Sequence, residues 1–207
     1  MKSLLIINLA LVLFSCFVTV QAQNPVMYWD FEKNENRTTI EVISGIADTL
    51  EGNFEKAKGI NGTGIRLDGY TTCIRKSPEN ITTPGDEFTI EAWVALGNYP
   101  WNWCPILTTE SADVSGYHLM LGPLGQVSLQ GAINEQWVSC SSAQEIMPLR
   151  KWMYIVGVYR ANQEMTLFLN GKKIASCPIQ SKIHYSLKLI NPSAHGAKIA
   201  QRFIGKI

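Results

Sequence analysis

Histidine is scarce: the chain holds only His118, His184 and His195, widely scattered. No close histidine and cysteine pairs mark a zinc site. Excess charge of either sign is also missing. Eighteen Lys and Arg face seventeen Asp and Glu, and the formal net charge of +1 gives no reason to expect nucleic acid or an anionic membrane as partner. Beyond the leader there is no apolar stretch of about twenty residues, so no membrane span is expected. Sustained helical periodicity is absent there too. So are the common catalytic signatures. There is no Gly-x-Ser-x-Gly turn and no Cys and His pair that sequence would bring together. The glycine-dense stretch Gly59 to Gly69 leads into a strand and not a helix, which excludes a phosphate cradle.

What is present begins with a leader. Lys2, an apolar run from Leu4 to Phe14 and the small-residue exit Val20-Gln21-Ala22 read as a cleaved export signal over residues 1–22, with the mature chain starting near Gln23. Leu13-Phe14-Ser15-Cys16 also suggests a lipobox. The bulky Phe14 and the apolar residues after Cys16 argue against lipidation. The expected location is exported: secreted, periplasmic or cell-surface. About 185 mature residues suffice for one domain that buries roughly 70% of its unfolded surface. Four cysteines remain, Cys73, Cys104, Cys140 and Cys177, in a chain bound for an oxidising compartment. Disulfides are allowed, with three pairings open.

Phe88 to Ser176 reads as a series of short strands. Phe88, Ile90, Ala92 and Val94 fall on one face of a strand, and Thr89, Glu91, Trp93 and Ala95 on the other. Tyr117, Leu119 and Leu121 enter the turn Gly122-Pro123-Leu124-Gly125, from which Val127 and Leu129 lead out. Trp152 to Tyr159 is rich in β-branched and aromatic residues. Met165 to Leu169 and Ile174 to Ser176 flank Asn170-Gly171, a strong signal for a type I′ hairpin.

Five segments come in a telling order: Tyr28-Trp29-Asp30-Phe31-Glu32, Gly59 to Gly69, Phe88 to Val94, Lys151 to Tyr159, and Leu167 to Lys173. Together they resemble the laminin-G-like, concanavalin A-like lectin/glucanase jelly-roll family over roughly Pro25 to Lys182. The resemblance implies an all-β fold of two antiparallel sheets packed face to face, within a domain spanning 23–188. Ala95 to Pro105 and Gln136 to Cys140 look like the domain at the N-terminus of some exported bacterial glycoside hydrolases, themselves similar to fructan- and sucrose-cleaving propeller enzymes. One departure is expected to matter. The family usually closes its sandwich with an acidic strand, whereas this chain has no acid after Glu164 and carries Lys188, Lys198, Arg202 and Lys206 in its tail. The basic tail, 189–207, is therefore expected to be truncated or out of register, the alternative being a divergent basic C-terminal extension. The closing strand would then be missing, and the strand around Tyr28 to Phe31 left with an unpaired edge.

Glycosidic hydrolysis normally needs two facing carboxyl groups, and the strand Thr89-Ile90-Glu91-Ala92-Trp93 offers one. Catalysis by this chain alone is not expected. Some laminin-G relatives bind calcium at the sandwich rim, which makes Asp68, Asp86, Glu87 and Asp113 weak candidates, each also explained as a turn residue. No other cofactor is expected. Binding is better supported. Sugar rings present apolar C–H faces edged with hydroxyls, and Trp101, Asn102 and Trp103, with Gln136 and Trp137, supply aromatic platforms beside amides. These tryptophans could equally cap the core or pack on a neighbouring domain. The expected function is a non-catalytic carbohydrate-binding or substrate-positioning module whose partner is an oligo- or polysaccharide, alongside a glycoside hydrolase catalytic domain. The alternatives are a detached N-terminal part of a glycoside hydrolase and an adhesive, protein-docking domain.

Overall fold

The computed structural model describes residues 25–69, 71–109, 114–185, 197–200 and 203–206. The leader lies outside them. The N-terminal third forms β1 (Tyr28–Trp29), β2 (Asn34–Glu35), β3 (Thr38–Ile40), β4 (Ala47–Glu51), β5 (Phe54–Lys58), β6 (Thr63–Leu67) and β7 (Cys73–Lys76). The stretch of clearest alternation forms β8 (Glu87–Ala95), β9 (Cys104–Thr108), β10 (Tyr117–Leu121), β11 (Val127–Ile133), β12 (Gln136–Ser141), β13 (Trp152–Arg160), β14 (Glu164–Leu169) and β15 (Lys172–Pro178). Two short strands follow, β16 (Ala197–Ala200) and β17 (Phe203–Lys206). Helix among the described residues is limited to one 3-10 turn, Pro78–Asn80.

These strands build an all-β sandwich. One sheet has the order β1-β17-β8-β13-β14-β15, the other β12-β11-β10-β9-β16-β7-β4-β3-β2, and β5 and β6 form a separate ribbon. The alternation fixes which residues fill the space between. Ile90, Ala92, Val94, Ile155, Met165 and Leu167 point inward from the first sheet, and Leu50, Ile74, Leu107, Leu119, Leu121 and Leu129 from the second, all buried. Glu91 and Trp93 stay half-buried on the outer face. At the β14–β15 hairpin Asn170 and Gly171 have φ of 49° and 79°, as a type I′ turn requires.

The expected loss of the closing strand is corrected. β17 inserts between β1 and β8, pairing Tyr28 with Lys206, Trp29 with Gly205 and Val94 with Phe203. β1 thus has a partner. The place is filled without the family's acidic motif because strand pairing is made by backbone N–H and C=O groups, and Phe203-Ile204 has the β propensity to supply them. Likewise β16 inserts between β7 and β9.

Of the three cysteine pairings left open, the structure forms Cys140–Cys177, with Cα atoms 5.5 Å apart. Cys140 lies on β12 and Cys177 on β15, so the bond ties an outermost strand of one sheet to that of the other. Cys73 and Cys104 are not joined in a disulfide. Their strands β7 and β9 are separated by β16, a spacing of about 9.5 Å that no disulfide bridges.

Candidate carbohydrate-binding site

Between β8 and β9 the chain runs through Leu96-Gly97-Asn98-Tyr99-Pro100-Trp101-Asn102-Trp103, and its aromatic residues take different environments. Tyr99 lies against the β10–β11 turn: its hydroxyl donates to the Met147 carbonyl at 3.0 Å, and a Cβ at Gly125 would come within 2.8 Å of its ring. Trp103 covers the same turn, since a Cβ at Gly122 would meet its Cη2 at 3.0 Å. The turn therefore needs glycine twice for contact, and at Gly125 also for its φ of 73°. Trp103 touches that turn and is still 38% exposed. Trp101 is the more open of the two, at 77%.

Trp101 stands beside a depression of about 300 Å³ lined by Arg66, Asp68, Gly69, Asn98 and Tyr99 among others. A guanidinium and a carboxamide beside two aromatic rings match the chemistry of a sugar, whose C–H face stacks while its hydroxyls take hydrogen bonds. Sequence reasoning missed Arg66 and Asn98. Asn98 was within reach, one residue before the aromatic cluster. Arg66 comes from the end of β6, and only the fold brings it there.

Gln136 and Trp137 do not join this site, which corrects their grouping with Trp101, Asn102 and Trp103. Cys104 pairs with Leu121, which pairs with Val127, whereas Trp137 pairs with Ala132 five residues further along β11. Five residues of strand put them about 17 Å apart at the least. The β11–β12 hairpin carries them to the opposite end of the sheet. There Trp137 packs at a tilt against the buried His118, centroids 4.1 Å apart, and Gln136 is exposed.

The acidic candidates are held by their own neighbours. Asp68 accepts from Thr71 N–H at 2.9 Å, Thr72 N–H at 3.0 Å and both threonine hydroxyls, a turn held by its own side chain. Asp86 accepts from Lys182 Nζ at 2.6 Å. Asp113 lies outside the described residues. Among the described residues no three His, Cys, Asp or Glu side chains are gathered to hold a metal. Glu91 accepts a 2.5 Å hydrogen bond from the Tyr154 hydroxyl, and Tyr154 packs on Trp93 with centroids 5.0 Å apart. Burial, then that bond to Glu91, push the Tyr154 phenol well above its ordinary range. Burial pushes the thiol of Cys104 up to about 11.

A family model described as the concanavalin A-like lectin/glucanases superfamily matches residues 68–207, and the chain belongs to that family. No curated protein matches it in sequence. Its fold is similar to domain 4 of AbnA, a GH43 extracellular arabinanase from Geobacillus stearothermophilus, in complex with arabinotriose. The two are 14% identical with a TM-score of 0.58, over 87% of this chain and 92% of that domain. The binding domain of botulinum neurotoxin DC in complex with SialylT is similar at 16% identity and a TM-score of 0.58, covering 88% of this chain and 43% of that one. The serotype G binding domain gives 17% identity and a TM-score of 0.59, over 87% of this chain and 47% of that one. The chain thus spans less than half of each of these two neurotoxin domains. At such identities the likeness is one of fold. Among the described residues no helix is long and apolar enough to cross a membrane.

Proposed function

We propose that this chain is an exported, non-catalytic module that binds an oligo- or polysaccharide through the depression beside Trp101. The exposure of Trp101 carries the proposal. Burying a large apolar side chain stabilises a fold by roughly 1.5–3 kcal/mol, and a loop that forgoes this beside a polar hollow has a use for the ring outside the fold. The arabinanase domain, of like fold, is seen with arabinotriose, which supports a glycan as the occupant.

The test is affinity electrophoresis against arabinan, levan, inulin, xylan and β-glucan, with Trp101→Ala as the control. We expect retardation by at least one polysaccharide and a loss of at least about tenfold in affinity in the variant, about 1.4 kcal/mol. No retardation by any of them overturns the proposal. A second reading, protein docking, draws on the neurotoxin DC binding domain seen with rat synaptotagmin II, and a protein partner whose binding is lost in Trp101→Ala would favour it. Service beside a glycoside hydrolase catalytic domain belongs to the same proposal. Export is checked by the N-terminus of the secreted protein, expected at Gln23.

A further inference from the structure

The hollow beside Trp101 is not isolated. A second depression, of about 370 Å³, is lined by Arg37, Asn53, Phe54 and Glu55 and shares Arg66, Leu67 and Asp68 with the first. Each alone is near the lower end of the size of small-molecule sites, about 300 Å³. The two hollows are neighbours, with Arg66, Leu67 and Asp68 lining both, Trp101 beside one and Arg37 beside the other.

Three features show that the Arg37 end is built. Asn36 and Arg37, with φ of 47° and 63°, form the two-residue type I′ turn of the β2–β3 hairpin, which fixes where the Arg37 side chain starts. Its guanidinium donates to the Gly52 carbonyl at 2.6 Å and lies 5.2 Å from the centre of the Phe54 ring. Gly52 in turn has no room for a side chain, because a Cβ there would come within 2.3 Å of the Thr71 backbone. Thr71 is the residue that bonds Asp68, so one turn shapes the wall common to both hollows. Arg66, 3.6 Å from Glu55 and largely exposed, straddles them.

Resting on the glycan-binding reading above, we infer that the site is a groove for an internal stretch of a glycan chain, running from Trp101 across Arg66 to Arg37, and not a pocket for a single terminal sugar. Its substrate class is a polysaccharide recognised over several consecutive residues. A ring stacked on Trp101 fills the first hollow, and the following residues cross Arg66 to reach the donors of Arg37.

The experiment is titration calorimetry of the whole chain with oligosaccharides of two to eight residues from arabinan, levan, inulin, xylan and β-glucan, in the wild type and in Arg37→Gly. Glycine keeps the positive φ without strain, so the variant removes the side chain and leaves the turn. We expect wild-type affinity to rise at least about tenfold from two to six residues, and the affinities for short and long chains to converge in Arg37→Gly. Binding that is independent of length but lost in Trp101→Ala overturns the groove and leaves the glycan-binding reading standing. A length dependence that Arg37→Gly does not touch overturns the assignment of the second hollow. Failure of oligosaccharides of every length to bind overturns both.

Discussion

Two buried carboxylates a few residues apart titrate in opposite directions, and their partners explain why. Burial would raise Glu41, but the Ser44 hydroxyl and the N–H groups of Ile43, Tyr28 and Ser44 all donate to it and hold its pKa below the ordinary 4.5. Asp48 is 2% exposed, and burial wins over its bonds to Trp29 Nε1 at 2.7 Å and Lys76 Nζ at 3.5 Å, so its pKa is raised. The signs follow from linkage. Glu41 contributes stability that is full above about pH 4.5 and lost as pH falls through its lowered folded value. Urea unfolding between pH 6 and 3 should therefore show a shallower acid loss in Glu41→Gln, with about 1.5–3 kcal/mol less stability at pH 7 from weakened charged hydrogen bonds. Asp48 behaves oppositely, the folded state gaining as pH falls through its raised value. Lys76→Met strands that carboxylate, and we expect a loss of about 3–5 kcal/mol at pH 7 that is partly recovered on acidification. A variant whose deficit is the same at every pH would mean that Asp48 is not the group left unpaired.

At the scale of elements, β8, β13 and the β14–β15 hairpin were legible because alternation and Asn170-Gly171 specify them locally. β16 and β17 were not, since four-residue strands without an acidic motif are recognised by their backbone partners and not by their side chains. The candidate site divided in the same way. Trp101 was visible as an aromatic residue in a polar loop, but its distance from Trp137 depends on hairpin register and Arg66 arrives from another element. Disulfide pairing is equally non-local. Cys140–Cys177 closes a sequence separation of 37 residues and links strands of different sheets, so the chain-entropy model gives it about 4 kcal/mol. The double variant Cys140→Ala/Cys177→Ala should lose about 2–4 kcal/mol in denaturant unfolding, and added reductant should shift the wild type by the same amount and the variant not at all. A wild type indifferent to reductant would place the two sheets' grip on each other elsewhere.

For the whole molecule, the two C-terminal strands have a role out of proportion to their length. β17 is what connects β1 to β8 in one sheet, and β16 is what connects β7 to β9 in the other. Each is an interior strand, so removing the pair would split both sheets and expose the edges of β1, β7, β8 and β9 at once. The N-terminal third, with β2, β3, β4 and β7, would lose its hydrogen-bonded continuity with the rest of its sheet, keeping only core contacts such as those of Leu50 and Ile74. Mixed loss of this kind does not leave a smaller cooperative domain. It leaves a core open along two seams, with unpaired N–H and C=O groups that a second chain satisfies. We therefore expect a chain ending at Tyr185 to unfold over a broad denaturant range and to elute from size exclusion as oligomers, while the full chain unfolds cooperatively. If the shortened chain stays monomeric with an unchanged midpoint, β1 and β8 do not depend on β17, and the sandwich closes by another route.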